Sequence, residues 1–182
     1  TSVANGLQFL QESNGLTDLE LNAGNGNIDL RVLSGDAAAQ AHVGLPAIHA
    51  NRLTVTVDSG NFGTFGAGAP IGIAASELDI DTSGGDGDQS LALFGPVNAL
   101  DLDAGSGDVE LDNNAPIEDA DAGVDIIANF LRFVSDGGFG SGNPLQTQIS
   151  QLRGVNTTAG DVRISNTGSL VIGDSIAGLT NS

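Results

Sequence analysis

Carboxylates are the groups in this sequence best placed to do chemistry. The stretch LDLDAGSGDVELDN, residues 100–113, alternates apolar and acidic side chains, breaks at Gly105 and Gly107, and alternates again. In strand register Leu100 and Leu102 face one way, while Asp101 and Asp103 face the other. The segment before it, ELDID, sets Asp79 and Asp81 at the equivalent positions. If the two segments stack, Asp79 lies beside Asp101 and Asp81 beside Asp103, about 5 Å apart. Each such pair repels by roughly 1 kcal/mol in water. Hard cations take carboxylate oxygens as ligands, so Asp79, Asp81, Asp101 and Asp103 form a candidate calcium site. A solvated acidic face, tolerated by flexible side chains and salt, is the simpler reading of the same four residues. The segment after it offers Arg132, expected beside Asp101.

Other chemical signals are thinner. GGDGDQSLA, residues 84–92, nearly matches the calcium-binding nonapeptide of β-roll proteins, GGxGxDxUx, but Gln89 stands where an Asp is required. No second copy stacks beside it, and an ordinary glycine turn explains the residues. His42 and His49 flank Pro46 without a cysteine partner, which argues against zinc. The absence of lysine removes P-loops, Schiff bases and Ser–Lys dyads. No GxSxG elbow occurs. The serious enzymatic alternative is a polysaccharide lyase or hydrolase. Such sites need cations for uronates and aromatic rings for sugars, and this chain has neither Trp nor Tyr.

Charge narrows the partners. Twenty-three acidic residues against five arginines give a net charge of −18 over 182 residues. Nucleic-acid binding needs clustered Lys and Arg to neutralise phosphates, and anionic membrane surfaces need the same. The acidity suits a salty or extracellular setting. No cysteine is present, so disulfides and thiolate metal sites are excluded. No apolar run approaches the roughly 20 residues of a membrane-spanning helix. The start, TSVANGLQFLQESNG, has neither a signal-peptide pattern nor an initiator Met, and suggests a piece of something longer.

The elements that must position these groups repeat. Six segments align without gaps: LTDLELNAG (16–24), ANRLTVTVD (50–58), ASELDIDTS (75–83), VNALDLDAG (97–105), ANFLRFVSD (128–136) and ISQLRGVNT (149–157). Their anchors are Leu19, Leu53, Leu78, Leu100, Leu131 and Leu152. Two residues before each sits a short hydrogen-bonding side chain: Thr17, Asn51, Ser76, Asn98, Asn129 or Ser150. Two after comes a large apolar residue, with Gly154 the one departure. Period-2 alternation followed by glycine says strand and turn. The same strand recurs every 21 to 34 residues with little helical sequence between, the rhythm of a β-solenoid. The pattern predicts an all-β, right-handed parallel β-helix of about six to seven coils, forming one domain over residues 1–182. Three excursions are expected, at 35–50 (Ala-rich, with room for a helical turn), 62–75 (a loop plus a buried strand) and 113–129 (an acidic loop returning to strand). Neither end shows an amphipathic cap, so the open strands are expected to meet further repeats or partners.

NALDLDAGSGDVEL, DLELNAGNGNIDL and TTAGDVRISNTGSLVIG resemble the degenerate repeats of large bacterial surface and secreted proteins of the filamentous-haemagglutinin and autotransporter-adhesin type. The resemblance covers most of the chain and encodes a coil rather than a chemistry. It implies a right-handed β-helical rod at the cell surface or in the medium, serving adhesion or fibre formation, with no catalytic residues to transfer. The function expected is therefore non-catalytic and structural or adhesive. The expected partners are neighbouring repeats, further copies of the chain, or a cell-surface or matrix partner. A calcium-dependent binding module is the alternative, with no other cofactor implied.

Overall fold

Alternation of apolar and polar residues gives short strands, and frequent glycines let the chain turn between them without a helix. The computed structural model describes residues 6–39, 45–66, 70–119, 122–173 and 178–182. Its strands form one all-parallel sheet coiled into a β-solenoid of about 7 turns, with Ser83–Gly85 the one helical turn among the described residues.

Two walls make the coil. The first stacks Gln8–Glu12, Asn27–Val32, Arg52–Val57, Glu77–Asp81 and Ala99–Asp103, then the opening halves of Ile126–Ser135 and Leu145–Asn156, and last Ile164–Asn166. The second stacks Leu21–Asn22, Ile48–His49, Ile71–Ala74, Gln89–Leu93 and Val109–Asn113, then the closing halves of the two long strands, and last Val171–Ile172 and Leu179–Asn181. Leu78 lies directly over Leu100 on a parallel neighbour, as the sequence requires. One inward ladder runs Leu10, Leu30, Val55, Ile80, Leu102, Ile126, Thr147, Asn166. Its rungs are separated by as few as 19 residues (Thr147 to Asn166) and as many as 25 (Leu30 to Val55).

The second wall changes character along its length. Its ladder runs Leu21, Ile48, Ile73, Leu93 and then Asn113, Ser135, Asn156, Asn181. Asn113, Ser135 and Asn156 are buried, so each must find a partner. They find it in the turn that follows: Asn113 Nδ2 donates to Ala115 O (2.6 Å), Ser135 Oγ to Gly138 O (2.7 Å), and Asn156 Nδ2 to Thr158 O (2.8 Å) and Gly160 O (3.0 Å). Buried amides thus close the turns of the later coils.

Gly154, the departure in the repeat, has a packing cause. Its partner across the ladder is Phe133, whose ring stacks on Phe139 at 4.2 Å and 7°. A Cβ on Gly154 would land on the Phe133 ring, with Cδ1 at 2.6 Å. The large rung fills the space of the empty one.

The gapless repeat merges two walls. Leu53, Leu78 and Leu100 share the first-wall ladder, whereas Leu131 and Leu152 stack on Val109 in the second. The cause is a change in the tight corner. In the first three turns the short connection runs from the second wall to the first (Asn22 to Asn27, His49 to Arg52, Ala74 to Glu77). The fourth turn still has its shorter connection there, from Leu93 to Ala99; from Asp103 onward the short connection runs from the first wall to the second, as in Asp103 to Val109 and within the two long strands. Both corners place a small polar residue before a buried strand, so the local sequence looks alike.

The expected excursions are partly core. Ala37 and Ile48 within 35–50, Phe62 and Ile71 within 62–75, and Ile117 and Ile126 within 113–129 are all buried rungs. The described part of 35–50 holds no helix; the expected turn before Pro46 falls largely on residues 40–44, outside the described residues, as does His42.

Candidate functional site: the corners and the acidic rungs

Where a coil turns, backbone of one lap must pass close over the next. At the edge running from the first wall to the second, the sequence repeats small–Gly–Asx–x: Ser34-Gly35-Asp36-Ala37, Ser59-Gly60-Asn61-Phe62, Asp86-Gly87-Asp88-Gln89 and Ser106-Gly107-Asp108-Val109. A Cβ on Gly107 would sit 2.6 Å from Gly87 O, and one on Gly87 would fall on Gly60 O. Only glycine permits that approach. The Asx side chains then bond lap to lap. Asn61 N donates to Asp36 Oδ1 (2.8 Å), Asp88 N to Asn61 Oδ1 (2.8 Å), Asp108 N to Asp88 Oδ1 (2.9 Å), and Asn129 Nδ2 to Asp108 Oδ1 (3.1 Å). This ladder answers why acids crowd the opening stretch: Asp108 is a corner strut. Sequence reasoning missed it, although the recurring Gly-Asx pair was its signal.

Gln89 follows the same corner. Buried, it donates through Nε2 to Ile80 O (3.0 Å), Thr82 Oγ1 (3.2 Å) and Asp103 O (3.1 Å), while its Oε1 has no partner among the described residues. The side chain points into the stack, so the near-nonapeptide of 84–92 is built as a turn held from inside.

The four candidate cation ligands come together in the expected order. Asp79 pairs in register with Asp101, and Asp81 with Asp103. All four already have partners. Arg52 NH2 reaches Asp79 Oδ2 at 3.0 Å; Asp81 Oδ1 accepts Ser83 N (2.9 Å) and Oγ (2.7 Å); Asp103 Oδ1 accepts Gly105 N (2.9 Å). Among the described residues no three His, Asp or Glu side chains converge as a metal-holding group. Arg132 is not beside Asp101 as expected: it sits on the second wall in register with Glu110 and binds it at 2.5 Å. The merged repeat placed it on the wrong wall. Glu110 Oε2 also accepts Gly66 N (2.9 Å), and Phe65 packs edge-on against Phe130 at 6.1 Å. The segment before Gly66 therefore straps the outside of the later coils.

Carboxylates at turns also show their bonding in their acidity. Asp86, at φ 52°, accepts Ser106 N from the next lap at 2.9 Å, which holds its pKa below the ordinary value. Glu12 is lowered likewise by the amides of Asn14 and Ser13.

The short polar residues expected at a bend divide between the two edges. Asn51, Ser76 and Asn98 stack where the second wall meets the first, with Ser76 Oγ donating to Asn51 Oδ1 (3.2 Å) and Asn98 N to Ser76 O (2.9 Å). Asn129 extends the opposite Asx ladder. Shallow grooves follow both edges. One, of about 270 Å³, crosses four laps from Asn25 through His49, Asn51 and Ser76 to Phe94 and Asn98. Another, of about 350 Å³, runs from Ser106 through Asn129 and Ser150 to Ser169.

The chain matches no known family model, no curated protein and no solved structure.

Proposed function

We propose that this chain is a structural or adhesive β-solenoid segment of an extracellular or cell-surface fibre, acting by contact rather than by turnover. The observation that carries the reading is the use made of its polar groups. Asp36, Asn61, Asp88, Asp108, Asn113, Ser135 and Asn156 hold one lap to the next or close its turns. Chemistry-capable side chains are thus employed as fasteners along a stack, which suits a load-bearing or spacing element. Its partners on this reading are neighbouring repeats or further copies of the chain, or a cell-surface or matrix component. The net charge of −18 favours an exposed, salt-bathed setting.

Beads coated with the chain, applied to cells and to matrix proteins, test the contact role; electron microscopy of the longest natural polypeptide carrying it tests the fibre. Adherence and rods are the expected results. Turnover on a panel of glycans, without adherence, would replace this reading with the polysaccharide-acting enzyme.

The register of Asp79 with Asp101 and of Asp81 with Asp103 favours a second reading, a calcium-dependent binding module. On that reading calcium raises the melting temperature of the parent and leaves the Asp81→Asn/Asp103→Asn variant unmoved. An equal response in both chains removes it.

A further inference from the structure

The two edges of the solenoid treat their Asp and Asn side chains differently. Along the edge from the first wall to the second, Asp36, Asn61, Asp88 and Asp108 are committed to the next lap. Along the other edge they are not. Among the described residues, the side chains of Asn25, Asn98 and His49 make no hydrogen bond, and Asn51 uses only its Oδ1. All four are exposed, and all four line the 270 Å³ groove.

Phe94 completes the groove. Its ring is half-buried over the second wall, 3.2 Å from where a Cβ on Gly72 would stand, and it presents an apolar surface beside the uncommitted amides. No Asp, Glu or Arg lines the groove, in a chain where such residues are 15% of the total. An anion would meet the repulsion of the whole molecule, and a cation would find its ligands elsewhere. Amide donors and acceptors next to a ring match a ligand that carries hydroxyls around its rim and C–H groups on its faces. The groove follows the coil axis, with one lap every 4.8 Å or so, and this is close to the advance of one sugar ring along a linear glycan.

We propose that this groove binds a neutral, linear oligosaccharide lying along the solenoid axis, with Asn25, Asn51 and Asn98 as hydrogen-bonding groups, His49 at one side and Phe94 as the apolar platform. The proposal rests on the adhesive reading and gives that contact a chemical class.

The test titrates the 182-residue chain with cellohexaose, chitohexaose, mannohexaose and a hexamer of polygalacturonate, following side-chain amide resonances by NMR. A neutral hexamer is expected to shift the Asn25, Asn51 and Asn98 signals saturably. Asn98→Ala/Phe94→Ala should weaken that binding about tenfold or more, equivalent to about 1.4 kcal/mol, while the melting temperature stays near that of the parent. Failure of every neutral hexamer, preference for the polyuronate, or undiminished binding by the double variant overturns the proposal. The same variants on coated beads separate the two readings. Adherence that survives the double variant sinks the groove alone, and a parent chain that never adheres sinks the adhesive reading beneath it.

Discussion

Replacing Gly154 by alanine asks whether the rungs interlock as large against empty. The backbone at Gly154 lies in an ordinary region for L-residues, since no positive φ is found there. On backbone grounds alone the substitution should stabilise by about 0.4–1 kcal/mol, because alanine restricts the unfolded chain. The structure predicts the opposite sign. The new methyl would meet Phe133 Cδ1 at 2.6 Å, against a comfortable carbon–carbon separation of about 3.5–4.0 Å. Phe133 Cε1 and Cζ lie nearer still, so the ring must give by well over ~1 Å to reach that separation, yet it lies flat on Phe139 at 4.2 Å and both rings are buried. Overpacking of this kind costs about 1–3 kcal/mol. For a chain of this length that lowers the melting temperature by about 2–12 °C. Calorimetry or circular dichroism measures it directly. The double variant Phe133→Leu/Gly154→Ala should recover part of the loss, giving a favourable coupling rather than a sum. A Gly154→Ala chain that melts at or above the parent would refute the interlocking account.

Three further perturbations probe the fasteners. Asn156→Ala strips the amide from the Thr158 and Gly160 carbonyls and should lower stability by about 1–3 kcal/mol in urea unfolding; a change under a few tenths would mean water replaces it. Gln89→Leu removes the amide donor to Ile80 O, Thr82 Oγ1 and Asp103 O, but Asp103 O keeps the Thr82 N–H and the unpartnered Oε1 is removed as well; it should cost about 0.5–1.5 kcal/mol, whether or not calcium is present. A calcium-dependent loss would restore the nonapeptide reading. Asp86→Asn keeps an acceptor for Ser106 N but removes the charge. Because the folded pKa of Asp86 is lowered, its contribution is complete above the unfolded value of about 3.9 and is lost as pH falls through the folded one. The stability gap between parent and Asp86→Asn should therefore narrow as the pH falls below about 4. A gap independent of pH would show that charge plays no part.

Much of the coil was legible because its grammar is local. Alternation around Leu53, Leu78 and Leu100 gave strand, facing and stacking order, and with them the adjacency of Asp79 to Asp101 and Asp81 to Asp103. What could not be read was which wall a segment joins. Leu131 and Leu152 carry the same neighbours as Leu100, yet the chain reaches them after its tight corner has changed edges, and Arg132 moved with them. Side-chain direction at corners was equally hidden. The recurring Gly-Asx pair marks Asp108 as a corner residue, but only the Asn129 side-chain amide of the following lap shows its carboxylate to be a strut. Gln89, read as a flaw in a calcium loop, is a buried fastener that opens the strand Gln89–Leu93.

The change of corner also divides the surface. Longer connections of the first four laps emerge on one edge, and those of the later laps on the opposite edge. A single uninterrupted stack thus carries its larger loops on two separate flanks, one in each half.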